Sequence, residues 1–332
     1  MQAKKAIRAN INGICVNISR LPSISLLKKI MDKNIIQIKS ISELLEGSGF
    51  GKPTHPLIAI VDTANIAFGK EMLGLKIASN LYSIALKDAS CGLDYGRNAY
   101  DFNEGVLFFS APNQIFTVTK VQKINQVKGW MLYFHPDLIR NSNLGDQIDD
   151  YTFFNYEVNE ALHLSEKEQT VMADLVNLIK TEITERIDNH SQQVLVSNIE
   201  LMLSYSSRFY ERQFNTRSAQ NTDIVAKVES LLKNYYKTNE LIVAGQPTIE
   251  YLAKKCHLSP NYLSDLLSKE TGRSAKDHIN DFLIEKAKYL LISTTDSVSG
   301  IAYSLGFNYP HYFGRLFKKK TGKTPREYRQ MN

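Results

Sequence analysis

The stretch Thr248–Gly272, TIEYLAKKCHLSPNYLSDLLSKETG, is echoed by Ser297–Gly322, SVSGIAYSLGFNYPHYFGRLFKKKTG. Leu252, Ala253 and Leu258 correspond to Ile301, Ala302 and Phe307 at an offset of 49. After one extra residue in the second turn, Leu263, Leu266, Leu267, Thr271 and Gly272 correspond to Phe313, Leu316, Phe317, Thr321 and Gly322 at an offset of 50. Beyond each glycine, Ser274-x-x-Asp277 and Thr324-Pro325-x-Glu327 place a capping hydroxyl three residues before an acid, which marks a helix start. Each unit reads as a short helix, a tight turn and a longer helix. Ala253 and Ala302 let the second helix cross close to the first. Gly306 supplies a backbone free to take positive φ in the second turn, and His257 holds the matching place in the first, tolerable but mildly strained. This is a twofold helix-turn-helix pattern, in which the second helix of each unit enters a DNA major groove.

The helical faces divide accordingly. Tyr312, Phe313, Leu316 and Phe317 share one side of the second unit and are assigned to the core. The opposite side presents His311, Gly314, Arg315, Lys318 and Lys319. Arginine can bind guanine O6 and N7 together, and lysines neutralise phosphates. Gly314 costs about 1 kcal/mol inside a helix but lets a backbone approach DNA. The helix start at Asn308 and Tyr309 offers free N–H groups to a phosphate. The first unit exposes Asn261, Ser264, Asp265 and Ser268, polar rather than basic; Asp265 repels phosphate but can accept from a cytosine amino group. More of the affinity is therefore expected from the second unit. A linking helix, Ala275–Leu291, carries Ile279, Phe282, Leu283, Ala287 and Leu290 on one stripe. Such a rigid joint matters because two recognition helices reach successive major grooves only when held ~34 Å apart.

Charge follows the repeat. Residues 225–332 hold 17 Lys and Arg against 10 Asp and Glu, a net +7 within a chain of net +6, so residues 1–224 are close to neutral. A polyanion-binding module joined to a neutral one has this asymmetry. The run Lys318-Lys319-Lys320 alone would suit any helix C-terminus, but Lys318 and Lys319 share the Arg315 face. The 332 residues are enough for two domains, and 43% hydrophobic content with no long apolar run excludes a membrane span. The three cysteines, Cys15, Cys91 and Cys256, form no C-x-x-C pair, so a reducing cytoplasm is expected. No pattern near Cys91 or Cys256 indicates a lowered thiol pKa.

Upstream, short apolar runs alternate with turns: Leu57–Val61, Leu75–Leu86, Val106–Phe109, Ile115–Val118 and Trp130–Phe134 are strand candidates, pointing to a small β-barrel or sandwich. Ser165-x-x-Glu168 is a capping box opening a helix with Val171, Leu175, Leu178, Ile179 and Ile183 at helical spacing. A second amphipathic stretch runs over 192–217. These two helices either pack on the β-unit or pair with another subunit, since both need one apolar stripe. Residues 215–222 are polar and aperiodic and are taken as a linker, with Asp223 as the next N-cap. The first 30 residues hold Lys4, Lys5, Arg8, Arg20, Lys28 and Lys29 and no acid; Asn10, Asn12, Asn17 and Ser19 break up any export signal, and a dispensable extension ahead of Met31 is expected.

The elements Ile301-Ala302, Gly306-Phe307, Tyr312-Phe313, Arg315-x-Phe317-Lys318, Gly322 and Pro325-x-x-Tyr328 strongly resemble the signature region of the AraC/XylS family of bacterial transcription regulators, over about residues 223–330. The resemblance implies a seven-helix domain with two helix-turn-helix units on promoter DNA. It places Asn261, Ser264, Asp265 and Ser268, and then Pro310, His311, Gly314 and Arg315, where such regulators touch DNA. Two residues depart from the pattern: Asp265, where a basic or neutral residue is usual, and Gly300, where Glu often follows the cap Ser297. The phrases YDFNEGVLFFSAPNQ (100–114) and GWMLYFHPDLI (129–139) are similar to the cupin-like sensor barrels of the same family, implying a small-molecule pocket and dimerising helices.

The expected architecture is therefore α+β and multidomain. It comprises an N-terminal extension (1–45, partly disordered), a cupin-like β-barrel sensor (46–164), two packing or dimerisation helices (165–218) and an all-α DNA-binding domain (223–332). The expected function is a cytoplasmic, sequence-specific transcription regulator, an activator rather than an enzyme, that requires no cofactor. Its expected partners are double-stranded promoter DNA, RNA polymerase, a small-molecule effector and a second copy of itself, with no membrane. The competing readings are a cupin-type metalloenzyme fused to a DNA-binding domain and a ligand-blind DNA binder. A metal centre needs converging ligands, and of His55, His135 and His163 no two share a motif; His55-Pro56 and His135-Pro136 read as strand-boundary residues. Gly47-Ser48-Gly49-Phe50-Gly51 lacks the Lys-Ser/Thr of a phosphate loop and reads as a plain loop.

Overall fold

The computed structural model describes residues 35–66, 72–87, 105–117, 128–157, 160–238 and 240–331. The expected extension ahead of Met31, Cys15 and Cys91, Val118 and residues 100–104 lie outside them. The chain divides into two compact units, Met1–Glu211 and Arg212–Asn332. Among the described residues no helix is long and apolar enough to cross a membrane.

The first unit is rich in sheet. Strands β1 (Ile35–Ile38), β3 (Lys76–Ser79) and β6 (Ile115–Thr117) form one sheet in the order β1-β3-β6. Strands β2 (Ile58–Asp62), β4 (Tyr82–Lys87), β5 (Val106–Ser110), β7 (Gly129–Phe134) and β8 (Leu162–His163) form a second, antiparallel sheet in the order β2-β7-β4-β5-β8. In β7 the alternation is clean, with Trp130, Leu132 and Phe134 buried between half-buried neighbours, as one packed face requires. The central strand β4 is buried continuously over Ser83–Leu86, because neighbours cover both of its faces.

Two expectations change here. The run Leu75–Leu86 is two strands in different sheets rather than one: the Ser79 hydroxyl accepts from the Leu81 N–H and the Asn80 N–H donates to the Ile38 carbonyl, so the chain turns where uninterrupted alternation would have continued. Residues before 46 are not merely extension either. Strand β1 pairs in parallel with β3, and helix α1 (Ile41–Gly47), capped by Ser40, buries Ile41, Leu44 and Leu45 against Ala59, Val61 and Leu81.

Two short helices, α2 (Pro136–Ile139) and α3 (Asn143–Gln147), lead towards α4 (Glu166–Thr184), which opens on the expected capping box: the Glu168 N–H donates to Ser165 Oγ and the Ser165 N–H to the Glu168 carboxylate. It buries Met172, Leu175, Val176, Ile179 and Ile183, while Leu178 from the expected stripe is 56% exposed. Helix α5 (Ser191–Thr216) follows.

The second unit is helical. Helix α6 (Ser218–Tyr235) begins inside the stretch expected to be a linker, so Asp223 lies within a helix rather than capping one. The polarity there has a tertiary purpose. Asn221 is buried and its amide donates to the Phe214 carbonyl at 3.0 Å and to Glu270 at 2.7 Å. After α7 (Glu240–Ala244) come α8 (Ile249–Cys256), α9 (Pro260–Thr271), α10 (Ala275–Ser293), α11 (Val298–Ser304), α12 (Pro310–Thr321) and α13 (Pro325–Met331). One core joins them: Leu252, Ala253, Leu263 and Leu267 from the first repeat and Ile301, Ala302, Phe313 and Phe317 from the second pack with Ile279, Leu283, Ala287 and Leu291 of α10.

Candidate nucleic-acid interface

The repeat folds as its spacing requires. In the first unit α8 ends on His257, held at φ 60° and ψ 41°, a left-handed cap that a non-glycine residue adopts at a cost. Ser259 then caps α9, with Pro260 in the first turn and the Tyr262 N–H donating to Ser259 Oγ. In the second unit Gly306 takes φ 76°, and a Cβ there would stand 3.0 Å from Gln246 N and 3.1 Å from the Gly245 carbonyl carbon, both backbone atoms. Helix α11 starts on Ser297, whose hydroxyl accepts from the Gly300 N–H. Gly300 has no side chain to return the bond, so the box is half made.

Helix α12 buries Phe313 and Phe317 completely and turns the opposite face outward. Asn308, Tyr309, His311, Arg315, Lys318 and Lys319 are exposed, and Pro310 and Gly314 half-buried. Nothing lies within 4 Å of where a Cβ on Gly314 would stand, so its face is open. No side chain caps the start of α12 at Tyr309, which leaves first-turn N–H groups without a side-chain acceptor. On α9 the corresponding face carries Asn261, Ser264 and Asp265, half-buried, and Ser268, exposed. Their spacing of three, four and seven residues aligns them along one side of the helix. The structure thus brings each set onto one helix face, largely exposed on α12 and largely half-buried on α9.

Two side chains behave differently from the sequence reading. Tyr312, assigned to the core, is 53% exposed. The stripe that α12 buries runs through Phe313 and Phe317, and Tyr312 projects beside it. Its ring packs against His311 at 4.3 Å and Tyr309 at 5.9 Å, and the Arg315 guanidinium lies over it at 4.9 Å. The only sequence signal was the spacing of three between Tyr312 and Arg315.

Lys320 leaves the lysine run. It bonds Asp277 at 2.8 Å and Asp281 at 2.9 Å on α10, and Asp281 also holds Arg273 at 2.9 Å. The Lys320 ammonium and then the Ser274 hydroxyl hold the Asp277 carboxyl down at about 2. Lys318 and Lys319 remain outward.

The histidines expected at strand boundaries act as local acceptors. His55 Nδ1 accepts from the Leu57 N–H, and His135 Nδ1 accepts from the Asp137 N–H to cap α2. Among the described residues no group of three or more His, Cys, Asp or Glu is placed to hold a metal ion. Burial pushes the Cys256 thiol up, away from reactivity.

Residues 252–331 match a family model described as a helix-turn-helix domain. Over 85 residues the chain is 39% identical to the bifunctional transcriptional activator/DNA repair enzyme AdaA of Bacillus subtilis, covering 26% of this chain and 40% of that one. Over 109 residues it is 33% identical to the transcriptional activator RhaS of an Enterobacter species, covering 31% and 39%. Among solved structures, the C-terminal domain of the response regulator AraT from Geobacillus stearothermophilus is 30% identical over 33% of this chain and 85% of that one, with a TM-score of 0.29. The chain spans less than half the length of these curated relatives. Its carboxyl-terminal unit is a helix-turn-helix DNA-binding domain. Over that domain the chain is similar to bacterial helix-turn-helix transcription regulators.

Proposed function

We propose that the chain is a sequence-specific transcription regulator, an activator acting in the cytoplasm on promoter DNA. The observation that carries this reading is the division of α12: Phe313 and Phe317 are fully buried while His311, Arg315, Lys318 and Lys319 face outward together. In this reading Arg315 and His311 address base edges, Lys318 and Lys319 displace counterions from phosphates, and Asn308, Tyr309, Pro310 and Gly314 seat the helix start against the backbone. Asn261, Ser264, Asp265 and Ser268 of α9 read a second, neighbouring groove with weaker affinity. The chemistry is non-covalent, and the reading assigns the chain no catalytic step.

The sheet-rich unit is the regulatory half of the proposal, a cupin-like sensor. Phe109, Phe116, Phe153, Tyr156 and Tyr210 wall a small cleft with Gln114 and Glu157 at its polar side, which would have to widen to admit an effector. Val194 and Leu201, seven residues apart on α5, are exposed apolar side chains suited to a second copy of the chain. The effector, or the dimer geometry it favours, alters DNA affinity through its own difference in affinity for the two states. Activation implies contact with RNA polymerase.

The test is selection of bound duplexes from random sequence, followed by titrations at several salt concentrations. Arg315→Ala is expected to lose about 1–3 kcal/mol and to relax selectivity at one base pair, while Lys319→Ala weakens all duplexes evenly and lowers the salt slope by about 1. Arg315→Ala protein that binds as tightly and as selectively as wild type would overturn the assignment.

A further inference from the structure

We propose that Tyr312 is a positioning residue for Arg315, holding the guanidinium over its ring so that the N–H donors stay free for the DNA. The proposal rests on the reading above that Arg315 addresses a base. The two side chains are three residues apart on α12, with the guanidinium carbon 4.9 Å from the ring centroid. Both are exposed, so the pair stands on the open face rather than inside the domain. Among the described residues Arg315 forms no hydrogen bond or ion pair, and the Tyr312 ring is the neighbour its guanidinium lies over.

The geometry separates the two things a guanidinium can do. Its five N–H groups lie in one plane and its π face lies perpendicular to them. Stacking uses the face and leaves the donors unspent, whereas a carboxylate partner would consume the donors that guanine O6 and N7 need. Arginine otherwise gives up extensive rotamer freedom on binding, and a stacked side chain has already surrendered part of it. The ring is itself braced. His311 lies 4.3 Å away on one side and Tyr309 5.9 Å away in an edge-on arrangement, so Tyr312 is not free to swing with the arginine. An exposed tyrosine thereby acquires a function through its neighbour.

The experiment is a double-mutant cycle on the tightest duplex recovered by wild-type selection, using the full chain. Its variants are Tyr312→Phe, Tyr312→Ala, Tyr312→Leu, Arg315→Ala and Tyr312→Ala combined with Arg315→Ala. Tyr312→Phe keeps the π face and is expected to bind within about twofold of wild type. Tyr312→Ala and Tyr312→Leu are expected to weaken binding about three- to fivefold, the range of an exposed cation–π contact. They should lose selectivity at the same base pair as Arg315→Ala, with an unchanged salt slope and an unchanged thermal midpoint. The double variant should be no weaker than Arg315→Ala alone. Additive losses, or a Tyr312→Leu protein that binds like wild type, would overturn the positioning role while leaving the Arg315 contact intact. An Arg315→Ala protein with no defect would overturn both readings together.

Discussion

Thr271 has one hydroxyl proton, and it is committed to the Leu267 carbonyl at 2.6 Å. Its oxygen meets His278 Nε2 at 2.8 Å, and with the hydroxyl proton spent this contact requires the ring to donate from Nε2. His278 is buried, and burial first, then the nearby Arg273 charge, hold its pKa below the usual histidine value of 6.5. The unfolded chain therefore takes up the proton more readily than the folded one. Stability is complete above about pH 6.5 and is lost as pH falls below it towards the depressed folded value. Denaturant unfolding from pH 8 to 5 is expected to show wild type weakening in this window and His278→Asn, less stable throughout, showing a flatter profile. Parallel profiles would mean that the folded ring titrates normally. At this scale the sequence identified most outward side chains but misplaced Tyr312. Helical spacing locates a stripe to within about one residue on either side, and only packing decides which border residue goes in.

The two units of the repeat close their turns differently, and this is a property of elements. His257 and Gly306 both take left-handed backbone, at φ 60° and φ 76°. Gly306 additionally faces the backbone of Gly245 and Gln246, and the Tyr235 hydroxyl fixes that same loop by donating to the Gly245 carbonyl at 3.0 Å. Gly272, which caps α9 at φ 69°, has open space around it, with nothing within 4 Å of where a Cβ would stand. Gly272→Ala should therefore cost about 1 kcal/mol for backbone conformation alone, and Gly306→Ala about 2–3 kcal/mol because a backbone neighbour must also move. Chemical denaturation of the two variants measures the difference; equal losses would mean the 245–246 loop yields freely. That Gly306 needs positive φ was legible from its place in the repeat. That it abuts a loop some sixty residues earlier was not, because no local pattern records which surface a turn meets.

Across the DNA-binding unit as a whole, the ion pairs of Lys320 with Asp277 and Asp281, and of Asp281 with Arg273, join α12 and the turn after α9 to α10. Both recognition helices are thereby referred to one linking helix. The pairs are partly exposed, so each contributes about 1 kcal/mol or less once solvent screening is counted. Because Lys320 and Ser274 lower the Asp277 carboxyl to about 2, the folded chain resists protonation that the unfolded chain accepts near 4. This contribution is present above about pH 4 and disappears as pH falls towards 2. Lys320→Met is expected to lower the thermal midpoint at neutral pH slightly and to reduce the further loss between pH 4 and 2; an unaltered acid profile would show that the network does not stabilise the fold.

The amino-acid order alone determined the twin helical units, the capped helix starts at Ser274 and Thr324, the aliphatic stripe of α10 and the basic balance of the last third. All of these depend on contacts within a few turns of chain, where spacing and geometry are the same thing. Tertiary structure alone decided that 215–222 continues as helix, that Leu75–Leu86 splits between two sheets, that Lys320 pairs with α10 while Lys318 and Lys319 do not, and that Tyr312 braces Arg315. In each case the deciding partner lies off the local repeat or the choice falls on the margin of a face: Glu270 for Asn221, Ile38 for Asn80, Asp277 for Lys320 and the border of the α12 stripe for Tyr312. Such outcomes are set by which surfaces meet after folding, a quantity that propensity and periodicity do not contain.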